Sequence, residues 1–369
     1  MTARIRRYLL HAGSFVLAAG LLALALYGVD LGTIVDAFRQ ADWRWLAPLV
    51  VLVLGSNLCR AWRWQVLIDA LPTTPDFDKL EAGDPTQSNT LEASFSSIMI
   101  GYMVNYVAPR LGEIARTANM AARSSFRFSS LLGTVVSERI FDTAVLGMAL
   151  LSAIVLLFDR FAVLQKQFLG PAWSTLVGLP VEWIVGGSLG LILVFGGLYV
   201  LLRHHLSRDD SPLARFWTET VKPALLSFKE GMMTLLRSPR RGGILVSTVG
   251  MWSGYLLMAY VPFRMLDLAA PYGIGLLDAW ILMAIGALGL LVPTPGGIGS
   301  YHYITREALV HLYGVPAEAA LTYAFLAWGA QFVFYILTGG IAVLYQGMGL
   351  DVLFPPDRSD SSAMEPSQA

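Results

Sequence analysis

Apolar positions gather into long blocks at residues 8–28, 43–68, 128–157, 182–202, 242–263 and 317–346. Each approaches or exceeds the ~18–20 residues that a helix needs to cross about 30 Å of hydrocarbon. Between them lie an amphipathic piece, "LGTIVDAFRQADW", after the first block, and a polar loop at 70–92. A loop or interfacial segment follows at 159–180, then a basic amphipathic stretch at 203–241. Two further apolar runs, 93–107 and 276–292, are shorter. They stop at "APRLGE" (108–113) and "VPTPGGIG" (292–299). Proline lacks an N–H and clashes with the turn before it, so a helix ends there, and glycine permits a tight reversal.

This pattern predicts an all-α polytopic membrane protein with about six transmembrane helices. Two readings fit the broken runs. In the first, 93–123 and 276–312 are re-entrant hairpins that dip in and return on the same side. In the second, the breaks are plain loops between ordinary spans. The re-entrant reading gives the order span, span, hairpin, span twice, in pseudo-repeats at about 8–157 and 182–346 that run in opposite directions through the bilayer. Inverted repeats with broken helices are a transporter arrangement, with the site near the midplane. One transmembrane domain would then cover 1–350, with 203–241 as a cytoplasmic amphipathic segment and 351–369 as a disordered tail. The basic N-terminus is followed by about 20 apolar residues without a clear cleavage site, so it is read as a retained first span.

Composition supports the membrane assignment. The 369 residues are 55% hydrophobic and 14% charged, against about 25% charged in soluble domains. Net charge is zero, and no nucleic-acid partner is expected. In the re-entrant reading, one side of the membrane carries 19 Lys and Arg and the other six, with Arg139 inside a span. That bias places both termini in the cytoplasm, and the expected location is the inner (plasma) membrane. The single Cys59 forms no internal disulfide and reads as a buried thiol. No metal-ligand spacing or nucleotide-binding motif occurs, so neither metal nor cofactor is expected.

Candidate chemistry gathers at the breaks. A helix restarting at depth points free N–H groups and a positive dipole end inward, which attracts an anion such as phosphate. Arg110 and Arg116 add positive charge at the first break, with Glu113 placed to orient them at i−3 and i+3. Gly296 and Gly297 allow close backbone approach at the second. In "SERIFD", Glu138, Arg139 and Asp142 lie about 15 Å into a span at 1.5 Å per residue. Charges at that depth mark a functional site by default. An ion-pair network bracing the first hairpin and a direct role in headgroup or proton handling both fit, and a pair from Arg110 or Arg116 to Glu138 or Asp142 serves either. Arg60 and Arg63 read as cytoplasmic anchors with Trp62 and Trp64 in the interfacial belt, or as a lipid phosphate contact. Asn57 and Asn105 read as helix–helix hydrogen-bonding groups, Asn105 being also a candidate ligand contact. His302 reads as a buried, satisfied imidazole or as a titrating group beside a cavity. The remaining Trp and Tyr mostly suit interfaces.

"RAWRW" (60–64), "NYVAPRLGEIAR" (105–116), "SERIFD" (137–142) and "PTPGGIGSYH" (293–302), in this order, resemble the flippase-like transmembrane domain of lysylphosphatidylglycerol synthases. The resemblance implies three signatures: Asn105, Pro109, Arg110, Gly112, Glu113 and Arg116; then Glu138, Arg139 and Asp142; then Pro293, Pro295, Gly296, Gly297 and Gly299. His302 stands where the family commonly has Glu. The chain carries only a short tail where synthases have a soluble aminoacyl-transfer domain, so the resemblance implies lipid translocation without aminoacylation.

The expected function is a flippase- or scramblase-like transporter for an anionic or zwitterionic lipid, such as a phospholipid, an aminoacylated lipid or a polyprenyl-phosphate-linked sugar. Arg110, Arg116 and the Gly296 and Gly297 amides would hold its phosphate. One alternative is a membrane transferase acting on a lipid-linked substrate. Another is a non-transporting scaffold that recruits a lipid-modifying enzyme through 203–241.

Overall fold

The computed structural model describes residues 3–71, 90–109, 111–124, 126–157 and 238–347, with residues 226, 229 and 233, and side chains from residue 13 onward. The expected span at 182–202, most of 203–241, the loop 72–89, Arg110 and the tail lie outside the described residues. Every described regular element is helical. In chain order these are α1 Ala3–Leu26, α2 Leu31–Gln40, α3 Leu46–Asp69, α4 Leu91–Val107 and α5 Gly112–Arg123. They continue with α6 Phe128–Leu156, α7 Arg241–Met265, α8 Leu276–Leu291, α9 Ser300–Tyr313 and α10 Ala317–Tyr345.

Four helical stretches are long and apolar enough to cross a membrane: Trp43–Asp69, Phe128–Leu156, Arg241–Met265 and Ala317–Tyr345. A fifth is counted if the apolar part of α1 and the amphipathic α2, bent by 83° at their junction, form one span. At 1.5 Å per residue the 25 to 29 residues of these stretches cover about 37–44 Å, more than the hydrocarbon thickness. The limbs of the two broken runs are different. α4 and α5 have 17 and 12 residues, and α8 and α9 have 16 and 14. None exceeds about 26 Å, against about 30 Å of hydrocarbon.

Local chemistry sets the ends. Asp30 caps α2 through Gly32 N–H, and Thr90 caps α4 through Ala93 N–H. Asp278 accepts from Gly275 N–H at 2.9 Å at the start of α8. At its end, Val292 is extended, as the residue before Pro293 should be. α9 ends at left-handed Gly314, and Pro316 precedes α10.

Close packing in lipid relies on small side chains more than on the hydrophobic effect. The α3–α7 seam shows this. A Cβ on Gly254 would lie 2.8 Å from that of Ser56, and one on Gly250 would lie 2.9 Å from Cys59 Sγ. Two buried clusters organise the rest. One joins α7, α8, α9 and α10 around Phe263, Ile281, Leu309 and Tyr323. The other joins α3, α4, α6, α7 and α10 around Leu49, Trp64, Met99, Leu131 and Tyr335.

Candidate functional site

α3 and α6 each carry a charged pair on one face, Arg60 and Arg63 at i,i+3 and Glu138 and Asp142 at i,i+4. Packing brings the faces together, and α5 adds Arg116. Glu138 has no exposed surface and meets Arg60 at 2.8 Å, Arg63 at 3.1 Å and Arg116 at 2.9 Å. Asp142 meets Arg60 at 3.1 Å and Arg63 at 2.7 Å. Tyr255 and Thr248 of α7 accept from Arg60 and Arg63. The Arg116 guanidinium carbon lies 5.0 Å from the centroid of the Trp64 ring, and the Trp64 indole donates to Thr134. A buried carboxylate needs such company, because an unpaired charge at this depth costs several kcal/mol.

This corrects the expectation for "RAWRW". Arg60, Arg63 and Trp64 are buried among the helices, with both arginines in the ion cluster and not free as anchors. Only Trp62 keeps substantial exposure. The expected pair from the first hairpin to "SERIFD" is present as Arg116–Glu138. Glu113, however, does not pair with Arg116; it pairs with Arg139 of α6. Across both groups, four guanidiniums meet three carboxylates, so the cluster carries one positive charge in excess.

Beside this cluster lies a cavity of about 510 Å³, within the ~300–1,000 Å³ range of small-molecule sites. The tips of both hairpins reach it. Asn105, Tyr106, Pro109 and Glu113 line it from the first, and Pro293, Thr294, Gly296 and Gly297 from the second. Its charged lining is Arg60, Glu113, Arg139 and Asp142; Leu146 and Met283 are apolar lining, as are Leu290 and Leu291. Those last two leucines are also 54% and 61% exposed at the protein surface. The Arg139–Glu113 pair is the accessible one, with side chains 43% and 26% exposed.

The tips are joined to each other and to α10. Tyr106 packs edge-on against Trp328 and Phe332, and the Trp328 indole donates to the Gly296 carbonyl at 2.7 Å. Gly296 has φ 56°, and a Cβ there would strike the Tyr106 ring. Gly299 has φ 79°, and its Cβ would strike the Ala18 carbonyl of α1. The expected free amides are only partly there. Gly112 N–H donates to Asn105 Oδ1 at 2.8 Å, and Gly297 N–H donates to Thr294 at 3.2 Å within the turn.

Of the anticipated residues, Asn105, Glu113, Arg139, Asp142, Gly296 and Gly297 line the cavity. Arg116 and Glu138 stand behind them, and Arg110 lies outside the described residues. His302 is fully buried beside Phe325 and Trp328, with ring centroids 4.5 and 5.3 Å away, and neither ring nitrogen has a partner among the described residues. It does not line the cavity. Arg60, read first as an anchor and second as a lipid phosphate contact, lines the cavity. Sequence reasoning assigned to interfaces aromatic residues that line the cavity: Tyr102, Trp252, Tyr255, Tyr301, Trp328 and Tyr335.

A family model for the lysylphosphatidylglycerol synthase TM region matches residues 12–339. The chain belongs to this family. It is a multi-pass membrane protein. A curated relative, a UPF0104 membrane protein of Methanothermobacter thermautotrophicus, is 23% identical over 323 residues, covering 86% of each chain. No solved structure matches this family member.

Proposed function

We propose that this family member translocates lipids, moving the polar headgroup of an anionic or zwitterionic amphiphile through the cavity while its chains stay in the bilayer. One observation carries the reading: a single cavity touches both hairpin tips, is lined by members of an ion cluster with excess positive charge, and has surface-exposed leucines in its wall. Such a hollow suits a molecule with a charged head and an apolar tail. In this reading the two broken runs are re-entrant, the halves are inverted, and both termini face the cytoplasm of a plasma membrane. Arg139 is the phosphate receptor, because among the arginines that line the cavity its guanidinium is the accessible one. Arg116 keeps the site rigid from behind.

The test is reconstitution of the full chain into vesicles with fluorescent lipids of several headgroups. Flipping above that of empty vesicles is expected for a phosphate-bearing lipid. Arg139→Gln should lower the rate ten- to a hundredfold, the equivalent of about 1.5–3 kcal/mol for a charge-assisted hydrogen bond. Rates equal to empty vesicles for every headgroup, or an unaltered rate in the folded variant, would refute the proposal.

A further inference from the structure

The cavity holds more chemistry than a phosphate uses. Its two carboxylates among the described residues, Glu113 and Asp142, are both paired with guanidiniums. A cationic head would find no free anion and would face an excess of positive charge. Neutral hydrogen-bonding groups, by contrast, stand open. Asn105 uses its oxygen on Gly112, leaving its amide nitrogen. Gln331 donates to its own helix at 3.2 Å, leaving its amide oxygen. The hydroxyls of Tyr102 and Tyr106 have no hydrogen bond to described residues. The Trp252 indole N–H is buried without a partner. A buried unpaired donor costs about 1–3 kcal/mol until something accepts from it.

Aromatic faces and edges beside unengaged amides and hydroxyls, next to a cation, match a polyhydroxylated ring carried on a phosphate. Resting on the translocation reading above, we propose that the guest is a glycosyl- or polyol-phosphate headgroup. Its phosphate sits at Arg139, its ring against the Tyr106 and Trp252 wall, and its hydroxyls on Asn105, Gln331 and the Tyr106 hydroxyl, while the Tyr102 ring is already stacked on Tyr335.

The test uses the full chain in detergent and titration calorimetry with soluble probes. Glucose 1-phosphate should bind about tenfold more tightly than methyl phosphate, the worth of one or two net hydrogen bonds. Phosphocholine should bind no better than methyl phosphate. Tyr106→Phe combined with Gln331→Leu should bring glucose 1-phosphate down to the methyl phosphate level, and an unchanged methyl phosphate affinity reports an intact site. Equal binding of the two phosphates in the unaltered protein, or tighter binding of phosphocholine, would overturn the sugar assignment and leave the anion site standing. If no phosphate binds at all, the translocation reading fails with it. Vesicle-borne phosphatidylinositol and a polyprenyl phosphate glucose should then be compared as competitors. Displacement by either supports the proposal and identifies the lipid; displacement by neither overturns it.

Discussion

The two hairpins have similar outlines and different fastenings. The α4–α5 hairpin is held by charge: Arg116 reaches Glu138 and Glu113 reaches Arg139, so α5 is bolted to α6 and, through Glu138, to α3. The α8–α9 hairpin has no ion pair at its tip among the described residues. It is held by backbone contact, with Gly296 under Tyr106 and Gly299 against α1, and by the Trp328 bond. Charge tolerates small displacements but not removal of a partner. Backbone contact tolerates neither an added atom nor a changed φ.

Three substitutions probe this difference, in descending order of expected effect. Glu138→Gln removes the carboxylate shared by three buried guanidiniums and should cost about 3–5 kcal/mol, read as a collapse of the thermal midpoint and of folded yield. A midpoint within a degree of the parent would show that the charge fastening is not structural. Gly299→Ala forces a side chain into a positive-φ backbone and against the Ala18 carbonyl. The backbone strain alone is about 1–3 kcal/mol, and the same substitution at Gly55 of α3, where a Cβ meets nothing within 4 Å, should cost nothing measurable. Equal midpoints for the two alanine variants would remove the backbone fastening from the account. Trp328→Phe keeps a ring in place and loses one bond to Gly296, so about 1 kcal/mol is expected. A larger loss would mean that the second tip depends on that bond more than on its glycines.

The first hairpin was the more legible in sequence. Pro109 and the run 292–299 announce breaks wherever they fall, and "SERIFD" declares intramembrane charge by its position in an apolar block. Span limits came through within a few residues for the same reason: α6 and α10 are bounded by polar stretches on both sides. Arg60 and Arg63 misled because arginines near a helix end beside tryptophan look interfacial. Their burial depends on carboxylates 75 to 82 residues away. The signal was there in outline, two matched pairs at helical spacing on two spans, one pair positive and one negative. The aromatic wall had no comparable sign. Tyr102, Trp252 and Trp328 come from three helices, and nothing local distinguishes a tyrosine facing a hollow from one facing headgroups. The status of the Gly297 amide was equally hidden, since a turn's internal bond is set by its dihedrals.

The fused charges of α3, α5 and α6 carry a mechanical consequence. Parting them would strand a carboxylate and three guanidiniums in oil, so these three helices stay together as one block. The glycine-built tip opposite carries no such charge: an indole hydrogen bond, a ring edge and a seat against α1 hold it.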